Sequence, residues 1–477
     1  MENNRGSFGS KLGFLLAAVG SAVGLGNIWG FPYKMGSNGG FAFLLVYLVL
    51  AIFVGLAVMV GELFIGRKTG LSPLAAYKKL SKKFTWLGWL ALISPFVVLG
   101  FYFVLGGIVT RYAVSYLTAI FGWNTWGVPQ VTDFFGHFIC AGSGMLVWTA
   151  IFVAINGIVV AAGVAEGIEK FCKIGMPALF VMLVAVIIYV AVQPGAFDGY
   201  KFMFGWNIEP LKEDFLGVLS SAAGQMFFSL SLGMGIMITY GSYLDKKENI
   251  QQNSVIIVVC DTLVAILAGM IVMPACFAFL DGNVRGGPGL LFASMQEVFF
   301  KMGGIGNLMG FLFYGLVFIA AISSSMSLLE VLISATVDMR TEKKKAPGRK
   351  KAVLVWCIII LIISLPVALD GLGSGTAAGC VLDPPAVVFG SANVAGWNDC
   401  WLDFYDLISE GILMPLGSAI MAFAIGWIWK LDMVVKECEL EGNKFWGKGF
   451  FNICFKVITP IGMLVVLYGQ ITGFFGL

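Results

Sequence analysis

Long apolar runs recur along the chain, and they constrain its fold more than any other feature of the sequence. A run of about 20 apolar residues can cross a bilayer as a helix, because lipid offers no hydrogen-bond partner to an unpaired backbone group. The composition agrees, since 59% of the 477 residues are hydrophobic and only 12% are charged. These properties exclude a disordered, fibrous or nucleic-acid-coating chain. The sequence therefore predicts an all-α polytopic membrane protein.

The apolar runs give eleven candidate spans, and the basic residues between them orient the chain. Lysine and arginine concentrate in one alternate set of loops, including a cluster at 340–351, and cytoplasmic loops carry such an excess. We therefore predict a multi-pass protein of the plasma (inner) membrane, with a cytoplasmic N-terminus and an outside C-terminus. No compositional boundary divides residues 1–477, so one transmembrane domain is expected. The spans cover about 11–35, 41–66, 87–118, 144–163, 171–192, 215–243, 254–280, 307–337, 352–370, 404–430 and 449–474.

Histidine and cysteine offer little for catalysis or metal binding. The single histidine, His137, falls in a predicted loop. Most of the cysteines lie in or beside apolar spans, where we expect them to be small packing residues. Cys380 and Cys400 share one predicted outside loop, where spacing alone leaves a disulfide open. We therefore expect a protein that is not an enzyme.

Glycine clusters interrupt two of the spans, the first and the sixth. Gly20, Gly24 and Gly26 lie in the first span, and Gly233 and Gly235 in the sixth. Paired interruptions in corresponding halves indicate a transporter built from inverted repeats, with its site between the two breaks. The alternative is close packing of continuous helices through small residues. The first reading predicts a 5+5 arrangement, with repeat one over about 11–192, repeat two over about 215–430 and an extra helix over 449–474.

Oxygen-bearing residues lie beside both interruptions. An unwound helix frees carbonyl oxygens, for which a sodium ion is a suitable partner, and Asn27 adds a side-chain carbonyl. The three serines of 323–325 could ligate a cation, or they could be back-bonded to their own helix. Asp261 lies deep in the seventh span, where an ionisable group is a functional candidate by default. The alternative for Asp261 is a carboxylic acid kept neutral by its apolar surroundings.

Three separated segments carry a family resemblance. "SAVGLGNIWGFPY", from Ser21 to Tyr33, resembles the first-helix signature of the neurotransmitter:sodium symporter family. "FFSLSLGMGIMITYGSYL" resembles that family's broken sixth helix, and "AAISSSMSLLE" resembles its eighth. Order and spacing are similar over nearly the whole chain, which is far more specific than one glycine pattern. The chain thus looks like a prokaryotic amino-acid transporter of this family.

The resemblance implies a substrate site and two sites for co-transported Na⁺. Tyr102 matches the tyrosine that bonds the substrate carboxylate, and Phe228 matches the aromatic lid. The implied substrate site comprises Ser21, Ala22, Leu25, Gly26, Val98, Tyr102, Phe228, Ser229, Ser231, Met234, Ser324 and Leu328. The first sodium site would use Ala22, Asn27, Ser229, Asp261 and the substrate carboxylate. The second would use the carbonyls of Gly20, Val23 and Ala320 with the hydroxyls of Ser323 and Ser324. These are hard oxygen ligands, which suit a hard cation.

Departures from the family pattern narrow the substrate. Relatives that carry monoamines have an aspartate where this chain has Gly24, so the substrate here is expected to bring its own carboxylate. The apolar Val98, Met234 and Leu328 favour an α-amino acid with an aliphatic or aromatic side chain. Many animal members have asparagine in place of Asp261 and need chloride for charge balance. A fixed carboxylate at this position predicts transport that is sodium-dependent and chloride-independent.

The resemblance also implies gates on both sides of the site. Arg5 and Asp338 match the inner pair, with Tyr243 nearby, and Phe228 closes the site from the outside. The outer pair is incomplete, because Gly30 replaces an arginine whose partner matches Asp403. Lys34, one turn on, is the expected substitute partner of Asp403.

Two further readings of the function stay open at this stage. One is a sodium symporter for another small carboxylated osmolyte, and the other is a sensor or channel that keeps the transporter fold. The expected partners are a small-molecule substrate, an amino acid, and the lipid bilayer, with no nucleic acid. The sequence leaves the oligomeric state open, with a monomer as the simplest expectation.

Overall fold

The computed structural model describes residues 8–123, 134–284, 287–372 and 400–475, and their secondary structure is helical. The predicted all-α architecture is thereby confirmed. Arg5 and Cys380 lie outside the described residues, so the inner pair and the disulfide stay predictions. The main helices are α1a (Lys11–Ala22), α1b (Gly26–Ser37), α2 (Phe41–Thr69), α3 (Lys82–Ile120), α4 (Ser143–Ala161), α5 (Val164–Ala191), α6a (Phe215–Ser229), α6b (Ile236–Gly241), α7 (Ile250–Leu280), α8 (Gly303–Glu342), α9 (Arg349–Ile363), α10 (Trp401–Trp429) and α11 (Lys448–Gly473).

Within the described residues, eight helices are long and apolar enough to cross a membrane, or nine if α1a and α1b form one span. α6a and α9 are shorter, at 15 residues each. α9 is followed by a further short helix, Leu365–Leu369, which begins beside Pro366. A multi-pass membrane protein follows from these helices. The count of eleven spans, the inverted repeat and the repeat boundaries remain predictions.

The first predicted interruption is present. α1a and α1b meet at an angle of 46°. The helix stops because Val23 turns to an extended conformation, and it resumes as a π-helical turn over Gly26–Gly30. π-helical turns are often found at functional sites.

The second interruption lies between α6a and α6b. The chain leaves the helix after Ser229, and Ser231, Gly233 and Gly235 take positive φ values of 55°, 75° and 69°. Glycine adopts this region without the steric cost that a side chain carries. The glycines of the sixth span therefore interrupt the helix by adopting positive φ values. They do not serve as small residues that let two continuous helices pack closely.

The helices differ in the fraction of their residues that is buried, and this difference shows which of them lie at the centre of the bundle. In the most apolar segment of each helix, 83% of α3 and 89% of α8 is buried, against 33% for each of α4, α5 and α11. α3 and α8 therefore form the centre of the bundle, and α4, α5 and α11 present most of their surface outward. The polar residues of α3 and α8 that face the breaks are consequently shielded on every side.

Candidate functional site

A small cavity of about 10 Å³ lies between the two helix breaks. α1, α3, α6 and α8 supply its wall, so the four helices that the sequence singles out meet at one place. Its lining is Ser21, Ala22, Gly24, Gly26, Val98, Tyr102, Phe228, Ser231, Met234, Ser324 and Leu328. Leu25 and Ser229, the other two residues expected at the substrate site, lie just outside this lining.

The broken first helix directs its freed backbone groups to side chains. In a continuous helix the amides of Gly24 and Leu25 would close on carbonyls one turn earlier. The Gly24 amide instead donates to Asn27 Oδ1 at 3.0 Å, and the Leu25 amide donates to the Tyr102 hydroxyl at 3.1 Å. The Ser21 carbonyl accepts from both Ser231 Oγ and Ser324 Oγ at 2.9 Å. One freed carbonyl thus joins α1, α6 and α8.

The residues of the first predicted sodium site form one buried cluster. Asn27 Nδ2 donates to Asp261 Oδ1 at 2.7 Å, and Ser229 Oγ donates to Asp261 Oδ2 at 2.8 Å. Tyr47 adds a longer hydrogen bond to Asp261 Oδ2, at 3.4 Å. Asn27, Ser229 and Asp261 are all fully buried, and Ala22 lines the adjoining cavity. Polar side chains from α1, α6 and α7 therefore converge beside the cavity, with Asn27 Nδ2 and Ser229 Oγ turned to the Asp261 carboxylate and Asn27 Oδ1 bonded to the Gly24 amide.

The residues of the second predicted sodium site converge between α1 and α8. Ser323 Oγ lies 3.5 Å from the Val23 carbonyl and 3.0 Å from that of Ala320. Ser324 Oγ lies 3.3 Å from the same Val23 carbonyl. These four groups supply carbonyl and hydroxyl oxygens and no charge, which fits a weakly held hard cation.

Two further predicted details are resolved by the geometry. Ser325, the third serine of the run, faces away from the break, with its hydroxyl 2.7 Å from both Asn156 Oδ1 and the Ala321 carbonyl of its own helix, so the back-bonded alternative is present at this serine. Gly20 lies in α1a, one turn before the break, and faces Cys172 and Met176 of α5. The serine run is therefore divided: two hydroxyls point to the break and one ties α8 to α4.

The end of the cavity near Tyr102 leaves no room for a side chain at Gly24. A Cβ atom added there would lie 2.3 Å from Ser324 Oγ and 2.8 Å from the Tyr102 hydroxyl. Phe228 closes another side, with its ring centroid 6.4 Å from that of Phe101 and 6.3 Å from that of Tyr102. The small residue at position 24 is thus imposed by the packing of two hydroxyl groups.

The prediction that Lys34 pairs with Asp403 is wrong. Lys34 forms its ion pair with Glu410, two turns after Asp403 on α10. Asp403 accepts a hydrogen bond from Cys400 Sγ at 3.0 Å. The physical reason is local packing: Glu410 occupies the space left by Gly224 of α6a, where an added Cβ atom would lie 2.4 Å from Glu410 Oε1. Asp403 and Lys34 both line a separate, larger cavity, which also includes Asp214 and Gln470 in its lining and is called the wide cavity below.

The opposite end of the bundle is closed by a different network. Glu330 Oε1 accepts from the Tyr243 hydroxyl at 2.8 Å, and Arg349 binds both oxygens of Glu330, at 3.0 and 2.5 Å. Asp338 accepts from the amide of Ser72 at 2.9 Å and from its hydroxyl at 2.6 Å. Phe8 packs its ring edge-on against Tyr240 and Tyr243.

Two side chains hold the breaks, a role that the sequence did not assign to either of them. Gln225 Nε2 donates to the Gly26 carbonyl at 2.7 Å, which fixes the start of α1b. Glu62 Oε1 accepts from the Gly233 amide at 2.7 Å, which fixes the break in the sixth span. Both side chains are polar residues within apolar runs, and that is the signal that could have found them.

Comparison with known proteins agrees with this architecture. The sequence model of the Sodium:neurotransmitter symporter family matches residues 5–139 and 139–377. An uncharacterized sodium-dependent transporter of Bacillus subtilis is 32% identical over 472 residues, which cover 97% of each chain. The sodium-dependent serotonin transporter of Drosophila melanogaster is 26% identical over 99% of this chain and 77% of its own. The crystal structure of MhsT in complex with L-phenylalanine matches with a TM-score of 0.84 and 34% identity, covering 98% of this chain and 100% of that one.

Proposed function

The chain belongs to the sodium:neurotransmitter symporter family, and from that premise we propose that it carries a hydrophobic or aromatic α-amino acid into the cell together with two Na⁺ ions. The observation that carries the proposal is the cavity between the two breaks, where freed backbone groups bond serine hydroxyls and Asn27 Oδ1, with the Asp261 carboxylate bonded to Asn27 close by. A sodium-coupled transporter needs cation ligands and a substrate pocket side by side, so that each bound species stabilises the other.

The substrate class follows from the chemistry of the cavity wall. Tyr102 accepts from the Leu25 amide and keeps its own hydroxyl proton, so it can donate to a substrate carboxylate. The space at Gly24 excludes the aspartate that a monoamine would need. Val98, Met234 and Leu328 are apolar, and methionine adapts to side chains of different shape. MhsT, the similar protein of known structure, is described with bound L-phenylalanine, which supports an aromatic substrate.

The two proposed cation sites differ in the charge of their ligands. The site at Asn27, Ser229 and Asp261 contains a carboxylate, and we place the first Na⁺ there, next to the substrate carboxylate. The second Na⁺ would sit among Val23, Ala320, Ser323 and Ser324, with the Gly20 carbonyl completing the set. Because this second set is neutral, it binds Na⁺ more weakly and releases it first. The fixed charge of Asp261 makes a bound chloride unnecessary for charge balance.

The transport cycle we propose is alternating access, with the N-terminus in the cytoplasm and the wide cavity facing outward. Substrate and Na⁺ enter from outside and Phe228 closes over them. The inner network then opens, including the predicted pair of Arg5 and Asp338, and the second Na⁺ leaves inward. One charge moving through 100 mV supplies about 2.3 kcal/mol, to which the sodium gradient adds. A single polypeptide in the plasma membrane suffices for this cycle.

Uptake by purified protein in liposomes tests the proposal. Labelled phenylalanine, leucine, glycine, glycine betaine and serotonin are offered with an inward Na⁺ gradient, with equal Na⁺ on both sides, and with K⁺ in place of Na⁺. We expect concentrative uptake of phenylalanine or leucine that needs the Na⁺ gradient and persists when gluconate replaces chloride. Uptake of glycine betaine alone would favour an osmolyte symporter. Saturable binding with no uptake in any gradient would favour a sensor.

A further inference from the structure

Three cavities meet at shared residues on the side of the site that we assign to the outside. The wide cavity, about 430 Å³, and a second cavity, about 20 Å³, share Tyr33, Lys34, Asp406 and Glu410 in their linings. The second cavity and the central cavity share Phe228. Lys34 and Glu410 therefore lie at the first boundary on the way in, and Phe228 lies at the next one.

The ion pair at the first boundary is shielded from water. The side chain of Lys34 is 12% exposed and that of Glu410 is 6% exposed. Lys34 is the one cation among the described residues that line these two cavities, where Asp406 lies near enough to interact with it electrostatically. A buried cation that loses its partner is strongly destabilised. The pair therefore holds α1b against α10 while it is intact.

Local packing explains why the ion pair of α1b with α10 is made by Lys34 and not by the residue at position 30, one turn earlier in α1b. A Cβ atom on Gly30 would lie 2.6 Å from Gln225 Oε1, so the side chain of Gln225 occupies the space beside Gly30. Glu410 has its own space, because a Cβ atom on Gly224 of α6a would lie 2.4 Å from Glu410 Oε1. Two glycines thus set the positions of Gln225 and Glu410. Lys34 is then the residue of α1b that pairs with Glu410 of α10.

We propose that Glu410 is a positioning residue of the outer gate, and that its ion pair with Lys34 seals the second cavity from the wide cavity as a step separate from closure of Phe228. The proposal rests on the transport cycle above. α1b and α10 can then lock together or part without any movement of the Phe228 ring. Breaking the pair opens the second cavity to water and leaves the central cavity covered.

Cysteine accessibility in the second cavity tests this directly. Leu402 lines that cavity and is 1% exposed, so a Leu402→Cys variant reports whether water-soluble reagents pass the pair. The purified, detergent-solubilised protein is treated with two thiosulfonates of opposite charge, so that effects of the local field can be separated from opening. Each rate is measured against the same protein without Leu402→Cys, because the chain contains nine native cysteines.

We expect Glu410→Gln and Lys34→Gln each to speed modification of Cys at 402 about tenfold, equivalent to about 1.4 kcal/mol. The double variant should add nothing further, since both changes open one gate. The charge-swapped variant Lys34→Glu/Glu410→Lys should restore slow modification, and it also serves if a single variant fails to fold. Asp214→Asn is the matched control, because it removes a carboxylate from the wide cavity yet keeps a side chain able to cap α6a.

Two results would overturn the proposal. One is an unchanged modification rate in Glu410→Gln with both reagents, and the other is an equal acceleration by Asp214→Asn. The measurement needs no substrate. A failure of the amino-acid assignment would therefore appear in the uptake assay and leave the accessibility result interpretable.

Discussion

Asn27 and Asp261 are joined by a hydrogen bond of 2.7 Å that ties the broken first helix to α7. A second bond, 3.0 Å long, runs from the same Asn27 nitrogen to the Asp261 backbone carbonyl. These two bonds fix the position of the carboxylate relative to the helix break. A preformed arrangement of this kind lowers the ordering cost of binding an ion.

The negative charge that we propose for the Asp261 carboxylate leads to a prediction about chloride. Wild-type uptake should be unchanged when gluconate replaces chloride. In Asp261→Asn, the positive charge of the first Na⁺ loses its compensation, so uptake in gluconate should fall about tenfold, equivalent to about 1.4 kcal/mol, and chloride should restore part of it. Asp281→Asn is the control, since Asp281 ends the same helix in a left-handed conformation that asparagine also adopts. Wild-type uptake that collapses without chloride would contradict the assignment.

The division of the serine run leads to a second prediction. Ser323→Ala removes a hydroxyl that faces Val23 and Ala320, so the Na⁺ concentration for half-maximal uptake should rise about tenfold, by about 1.4 kcal/mol. Ser325→Ala removes a neighbouring hydroxyl that faces Asn156 instead. It should lower thermal stability and leave the Na⁺ dependence unchanged. Equal shifts of the Na⁺ dependence in the two variants would show that the second site lies elsewhere.

The sequence was sufficient for features that depend on local chemistry. The breaks at Gly24 and at Gly233 could be predicted because a positive φ or an unwound turn favours glycine wherever it occurs. The depth of Asp261 could be predicted because an apolar run surrounds it. Which serines of 323–325 face the break came only from the family resemblance, which implied Ser323 and Ser324, because the rotation of α8 about its axis is set by packing against α1 and α4.

The partner of Lys34 shows the same limit more sharply. Asp403 and Glu410 are both acidic residues of α10, and a regular helix would allow a choice between them by turn counting alone. Glu410 lies within a π-helical turn over Leu407–Leu413, and no residue type in that turn indicates its presence. The outcome depends on three helices at once, since Gly224 of α6a provides the space that Glu410 occupies.

A third prediction concerns the space at Gly24. Gly24→Ala would place a methyl group 2.3 Å from Ser324 Oγ and 2.8 Å from the Tyr102 hydroxyl, so binding of phenylalanine should be lost. Gly462→Ala is the control, because no atom lies within 4 Å of the added Cβ in α11. Equilibrium binding of labelled phenylalanine to purified protein measures both. Normal affinity in Gly24→Ala would mean that the substrate does not occupy this end of the cavity.

The hydroxyl of Tyr102 leads to the last prediction, which separates substrate recognition from sodium binding. Tyr102→Phe removes the donor that we assign to the substrate carboxylate and leaves the Leu25 amide without its acceptor. The affinity for phenylalanine should fall about tenfold, the effect of one hydrogen bond worth about 1.4 kcal/mol. Na⁺ binding measured without amino acid should stay unchanged.

Preference for the carboxylate distinguishes this role from a structural one. If Tyr102 bonds the carboxylate, the wild-type preference for phenylalanine over its amide should shrink in Tyr102→Phe, because the lost donor served the acid more than the amide. Tyr112→Phe is the control from the same helix, since that hydroxyl bonds the Phe292 carbonyl at 2.9 Å, away from the cavity. A weaker Tyr102→Phe that keeps the full wild-type preference would show that Tyr102 only supports the bend at Leu25. The carboxylate would then be held by the backbone of the two breaks alone.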